Sequence, residues 1–280
     1  MADQKLTVGD IVIGPNERVQ DYWRDLWRYR ELFLVLTWRD IAVRYKQTVI
    51  GVAWAVVRPV ATILILTVVF NRMIKLTAPG AVPYPLLVFA GMLPWQFVST
   101  ALSDSSSSLI GNANLISKVY FPRLIIPAAS VFSSLVDFAI TFVLMMFVMI
   151  GYGFVPDWRF VATPLFSVLA VGVALGAGLW FGALHVKYRD FRHIVPFIVQ
   201  FGLYASPVGF SSAIVPQRWR LLYDCNPMVG IIEGFRWALL RGQSSLDWIA
   251  VTLSVVVVSL LCASGFWYFR KTEEVFADVI

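Results

Sequence analysis

The sequence predicts an all-α integral membrane protein with six transmembrane helices and both termini on the inner side. Three observations predict it: 59% of the 280 residues are hydrophobic, only 14% are charged, and the apolar residues gather into six runs of spanning length. An ordinary soluble domain carries about 25% charged residues. A soluble fold of this length could not hide so much apolar surface from water. The same composition excludes a disordered chain, a collagen-like fibre and a disulfide-stapled secreted domain. The net charge of +6 is better read through the placement of the basic residues than as a nucleic-acid footprint.

A spanning helix needs about 20 apolar residues. The six runs lie at about 49–70, 85–102, 124–150, 161–184, 194–213 and 248–269. An even number of crossings returns the chain to its starting side. Fifteen of the 23 Lys and Arg fall on segments 1–48, 103–123, 185–193 and 270–280, and seven fall on the segments between. Excess Lys and Arg mark the cytoplasmic side, so the prediction is N-in and C-in. Residues 1–30 show no apolar signal core, which places the N-terminus in the cytoplasm. The domain reading is a tail over 1–17 and one transmembrane domain over 18–280.

Three segments interrupt the spanning pattern. In 18–36, Asp21, Arg24, Asp25, Arg28 and Glu31 share one helical face, opposite Val19, Tyr22, Trp23, Leu26, Tyr29 and Phe33. That is an amphipathic helix, suited either to the membrane interface or to packing on a partner. Segment 103–123 is polar, then weakly amphipathic, and predicts a short helix over about 112–121 that Pro122 stops. A loop of this length is either a solvated connector or a docking element for a cytoplasmic partner. In 206–242, Asn226-Pro227 reads as a helix cap and first turn. The following apolar stretch is too short to span. Two short helices here either re-enter the outer leaflet or lie flat on it. Glu233 and Arg236 are spaced to pair on one helical face.

Chemistry has few candidate homes. There is no phosphate-binding loop of the form G-x-x-x-x-G-K-[ST] and no nucleophile elbow. His185 and His193 lack a Cys partner, so no metal site is expected. Asp190 stands alone among Lys187, Arg189 and Arg192. Cys225 and Cys262 occupy unlike settings and read as free thiols. Arg58 and Asp137 are the two ionisable residues well inside spans. They read either as a structural pair or as part of a relay. Phe197, Phe201 and Tyr204 form one helical stripe, which serves either core packing or sliding contact with sugar rings.

Several stretches resemble a known family. VRYKQTVIGVAWAVVRPV (43–60), NANLISKVYFPRLIIP (112–127), DFRHIVPFIVQFGLYASPVGF (190–210) and NPMVGIIEGFRWALL (226–240) resemble, in order, parts of the ABC-2 type permeases that export polysaccharides. The subgroup looks like the O-antigen, capsule and teichoic-acid exporters. The resemblance implies a homodimeric pore in the bacterial inner membrane, with two copies of a separate ATPase subunit docked beneath. ATP and magnesium would sit on that partner, and this chain would bind no cofactor. Asn114, Leu115, Ile116, Ser117, Lys118, Val119 and Tyr120 would form the coupling segment, with 185–193 as a second contact. Tyr22, Trp23, Leu26 and Trp27 would belong to a gate helix among membrane lipids, beside the lipid access path. Phe197, Phe201 and Tyr204 would line the glycan path, and Glu233 with Arg236 would form the re-entrant pair. The substrate would be an undecaprenyl-linked polysaccharide moved from the cytoplasm to the outer face of the inner membrane. The alternatives are teichoic-acid, capsule or drug cargo on the same architecture, a membrane-embedded glycan or lipid transferase using Asp224 and Glu233, and an ion-coupled carrier using Asp137.

Overall fold

The computed structural model describes residues 19–46, 51–75, 80, 82–188, 190–273 and 276. The tail over 1–17, the first residues of the first predicted span and Arg189 of the 185–193 loop lie outside the described residues. Among the described residues every regular element is helical.

Helices α1 (Val19–Arg28) and α2 (Arg30–Lys46) are nearly continuous. The Tyr29 N–H bonds to the Asp25 carbonyl at 2.9 Å and the Phe33 N–H to the Tyr29 carbonyl at 3.1 Å, so helical bonding runs on through Tyr29. The predicted amphipathic segment therefore runs ten residues further than 36. Tyr22 and Leu36 are buried against the bundle, while Trp27, Leu34 and Trp38 are exposed on the opposite side. Helix α3 (Gly51–Thr67) passes through Pro59 without stopping and ends in a π-helical turn, Val68–Met73.

Helix α4 (Tyr84–Gly111) is the centre of the bundle. Of its most apolar window 83% is buried, against 11–39% for the other four long apolar helices. It packs on α3, α6 (Ile125–Gly151), α7 (Thr163–Lys187), α8 (Phe191–Ala205) and α10 (Pro227–Leu239). The sequence placed a polar loop from residue 103, but α4 continues to Gly111. Four of the serines, Ser103, Ser106, Ser107 and Ser108, make this work by returning their hydroxyls to their own helix. Ser103 Oγ donates to the Ser99 carbonyl at 2.8 Å and Ser108 Oγ to the Ser105 carbonyl at 2.7 Å. Small side chains with satisfied hydroxyls allow close helix approach. A Cβ on Gly178 of α7 would lie 2.5 Å from Ser105 Oγ.

The predicted helix over 112–121 is reduced to α5 (Ala113–Ile116) and a turn. Phe121 precedes Pro122 and is kept from helical backbone. Ile116 and Phe121 are also buried in the same cluster, with Leu109, Ile125 and Phe269. The chain must fold back to bring them together.

Among the described residues five helices are long and apolar enough to cross a membrane: Val56–Met73, Tyr84–Gly111, Ile125–Gly151, Trp158–Lys187 and Trp248–Glu273, the last being α11. The run predicted as a span over 194–213 leaves the α-helix at Ala205, the end of the 15-residue α8, and only a 3-10 turn, Ser212–Ile214, follows at the end of the run. At 1.5 Å per residue α8 is about 22 Å long, short of the roughly 30 Å of hydrocarbon. Asn226 ends it, its amide donating to the Ala205 carbonyl at 3.3 Å and to Ser206 Oγ at 3.0 Å. The two expected short helices follow as α9 (Gln217–Asp224) and α10. Asn226 caps α10 by accepting from the Met228 N–H at 3.0 Å, with Pro227 in the first turn. Cys225 and Cys262 are free thiols.

Candidate functional site

Four features could carry function: a polar cavity within the bundle, an exposed segment at one end, an aromatic helix face, and a plug at the opposite end.

The cavity measures about 370 Å³ and lies between α2, α3, α4 and α6. Its polar wall includes Arg44, Arg58, Gln96, Asp104, Asp137 and Thr141. The guanidinium of Arg44 bridges two helices, donating to Asp104 Oδ2 at 2.6 Å and to Asp137. Tyr45 donates its hydroxyl to the same Asp137. Burial, aided by Asp137, raises the Tyr45 phenol well above its ordinary range and keeps it a donor. The planar fork of Arg suits two carboxylates in a way that a point charge does not. The expected pair between Arg58 and Asp137 is corrected by this geometry. Asp137 is taken by Arg44 and Tyr45, and Arg58 is exposed at the cavity wall. The extension of α2 to Lys46 places these two residues there, and the sequence reading had stopped that helix short of them. Arg44, Tyr45 and Asp104 were thus missed as site residues. The one available signal was an acid, Asp104, inside a run of serines.

The exposed segment is made of α5 and the turn after it. Asn114, Ser117, Lys118, Val119 and Tyr120 are exposed, Leu115 is half-buried and Ile116 is buried. The segment is tied to α2, since Arg39 donates to Asn112 Oδ1 at 2.8 Å. Beside it, α1 lies on the end of α11. Tyr22 is buried, Leu26 is half-buried, and Trp23 and Trp27 are exposed.

The aromatic stripe of α8 is left uncovered. Phe197, Phe201 and Tyr204 are 58%, 56% and 68% exposed. The two Phe ring centres are 4.1 Å apart. The opposite face of α8 seats Val195 in the bundle, and a Cβ on Gly202 would lie 2.5 Å from the Trp95 ring.

At the opposite end, α10 carries Arg236, which is 2% exposed. It donates to the carbonyls of Leu87, Phe210 and Val208 at 3.2, 2.8 and 2.8 Å. Glu233 accepts from Ser212 Oγ. Each member of the proposed re-entrant pair therefore has its own hydrogen-bond partners. Burial pulls the Arg236 guanidinium down to about 10, opposed by Glu233. Burial pushes the Glu233 carboxyl up to about 7, opposed by Arg236. Arg236 locks α4, the 206–210 turn and α10 together. Gly91 leaves it room, because a Cβ there would lie 2.9 Å from Arg236 Nη2. Among the described residues no group of three or more His, Cys, Asp or Glu could hold a metal ion.

Comparison with known proteins adds the family. The chain is 26% identical over 251 residues to the O-antigen export system permease protein RfbA of Klebsiella pneumoniae, covering 89% of this chain and 95% of that one. It is 27% identical over 259 residues to the RfbA protein of Myxococcus xanthus, covering 92% and 98%. It is 23% identical over 237 residues to the polysialic acid transport protein KpsM of Escherichia coli, covering 84% and 91%. Residues 31–240 match the family described as ABC-2 type transporter, so this multi-pass membrane protein belongs to the ABC-2 type transporter family.

Proposed function

We propose that this chain is the membrane subunit of an ATP-driven exporter of lipid-linked polysaccharide. Two copies form the pore in the bacterial inner membrane. The chain enters and leaves on the cytoplasmic side, with α8 and the 206–214 turn completing a sixth crossing. Helices α1 and α2 lie at the inner interface, where Trp27, Leu34 and Trp38 meet lipid. α9 and α10 form the re-entrant element at the outer face. The substrate is a glycan on an undecaprenyl carrier.

The observation that carries this reading is the exposed segment 114–120, seated on buried Ile116 and Phe121 at one end of an apolar bundle. An exposed segment with a rigid base suits a docking partner, and that partner is a separate ATPase holding ATP and magnesium. This chain binds no cofactor itself. The glycan cargo is supported by the names of the relatives and by the uncovered stripe of Phe197, Phe201 and Tyr204. Flat apolar rings contact sugar faces without the strong bonds that would trap a moving polymer. A capsule-type polymer on the same machinery is the second reading, favoured by the similarity to the polysialic acid transport protein.

Deletion of the gene tests the proposal. The expected result is loss of a surface glycan, with its lipid-linked form accumulating on the cytoplasmic face. An unchanged surface glycan profile contradicts it.

A further inference from the structure

We propose that Glu273 is a positioning residue that couples the docking segment to helix α1. The proposal rests on the transport reading above and adds the route by which a push from the ATPase reaches the interfacial helix.

Glu273 ends α11. Its Oε1 accepts the backbone N–H of Arg123 at 2.8 Å and faces the Tyr22 hydroxyl at 3.5 Å. Residues 266, 270 and 273 share one face of α11. That face carries α1. Trp23 stacks on Phe266 with ring centres 5.4 Å apart and planes 13° apart. Tyr22 meets the same ring edge-on at 6.2 Å, and the Arg270 guanidinium lies 3.8 Å from the Tyr22 ring centre. Phe269 and Phe276 instead enter the cluster formed by Ile116, Phe121 and Ile125. The end of α11 is therefore held between α1 and the base of the docking segment. One carboxylate reaches towards both.

A carboxylate accepting a backbone N–H makes a charge-assisted bond, stronger than a neutral one. Arg123 sits in the turn that closes the docking segment and opens α6. Displacement of 114–120 moves Ile116, Phe121 and this turn together, since all three are packed or bonded to the end of α11. The stacked rings then carry α1 with it.

The test uses the complete transporter, this chain with its ATPase, in vesicles loaded with lipid-linked glycan. Glycan exported per ATP hydrolysed is read for Glu273→Leu, Glu273→Gln and Trp23→Ala. Glu273→Leu is expected to lower that ratio by about fivefold or more, with hydrolysis and assembly retained. Glu273→Gln, which keeps an oxygen for the Arg123 N–H, is expected to recover most of the loss. Trp23→Ala, at a side chain 55% exposed, is expected to lower the ratio as well, and it decides the matter if Glu273→Leu does not assemble. A merely structural role lowers protein amount and hydrolysis along with export and leaves the ratio unchanged; that result overturns the proposal. An unaltered complex that exports nothing with ATP overturns the transport reading and this proposal together. Export by that complex with an unchanged ratio in the variants overturns the coupling role alone.

Discussion

Arg44 of α2 and Asp137 of α6 form an ion pair across 93 positions of sequence, and the same guanidinium holds Asp104 of α4. Helix α2 is thus fastened to two neighbouring apolar helices by one side chain. The pairs are roughly 30% exposed at the cavity wall, so water moderates their strength.

Loss of this bridge should be costly. Arg44→Gln leaves two carboxylates facing one another without their shared cation. The expected destabilisation is about 1–3 kcal/mol, below the full cost for a buried pair because the site is partly wet. Thermal unfolding of the purified protein checks it. Asp137→Asn in the Arg44→Gln background should cost less than either change would by addition, because the two residues share one interaction.

Arg236 offers a sharper case. Arg236→Met is similar in length and apolar, yet it strands the carbonyls of Val208 and Phe210 and removes a second donor from that of Leu87, which keeps its own helix bond. Each buried orphan costs on the order of 1–3 kcal/mol. The expected result is protein that inserts but unfolds several degrees lower, with the 206–214 turn opened to protease. Resistance equal to that of the parent would show that the plug is held by other contacts.

Glu233 gives the fold a pH dependence. Burial raises its carboxyl to about 7 in the native protein from an ordinary 4.5. A raised acid holds its proton more tightly when folded. Its contribution is therefore fully present below pH 4.5 and is lost as pH rises through about 7. The loss above that pH is on the order of 3 kcal/mol. Glu233→Gln keeps an acceptor for Ser212 and removes the titration. The variant should match the parent near pH 5 and exceed it in Tm at pH 8.

The docking segment should separate assembly from coupling. Lys118 and Asn114 are exposed, so Lys118→Glu and Asn114→Pro should leave the chain in the membrane. Loss of about 1.4 kcal/mol at the ATPase contact is tenfold in affinity. Export should fall by that order or more, with ATP hydrolysis freed from it. Normal export by both variants would move the docking site elsewhere.

Much of this molecule was legible in its residues, for reasons that also explain the rest. Long apolar runs of Leu, Val and Ile mark five of the six predicted spans, which are long helices among the described residues, while the run over 194–213 is cut short at Ala205; Asn226-Pro227 marks the start of α10 because cap and first-turn chemistry are local. The stretch Ser103–Ser108 misled because serine is polar in water but most of these hydroxyls bond back to their own helix, while the small Ser105 side chain fits against Gly178. The partner of Asp137 was misassigned because Arg44 lies in α2, outside every predicted span, and reaches the cavity only through the fold. The role of Arg236 was hidden because its partners are backbone carbonyls, which leave no mark on residue type. The exposed stripe of α8 was visible as a period, but its lack of cover is a property of the fold.

Glycan movement across vesicles containing this chain and an ATPase subunit tests the proposed transport role. Lipid-linked glycan should reach the far face only with hydrolysable ATP, and Phe197→Ala combined with Tyr204→Ala should slow this movement while ATP hydrolysis continues. Movement at the same rate with a non-hydrolysable nucleotide, or turnover of glycan by this chain alone, would contradict that role.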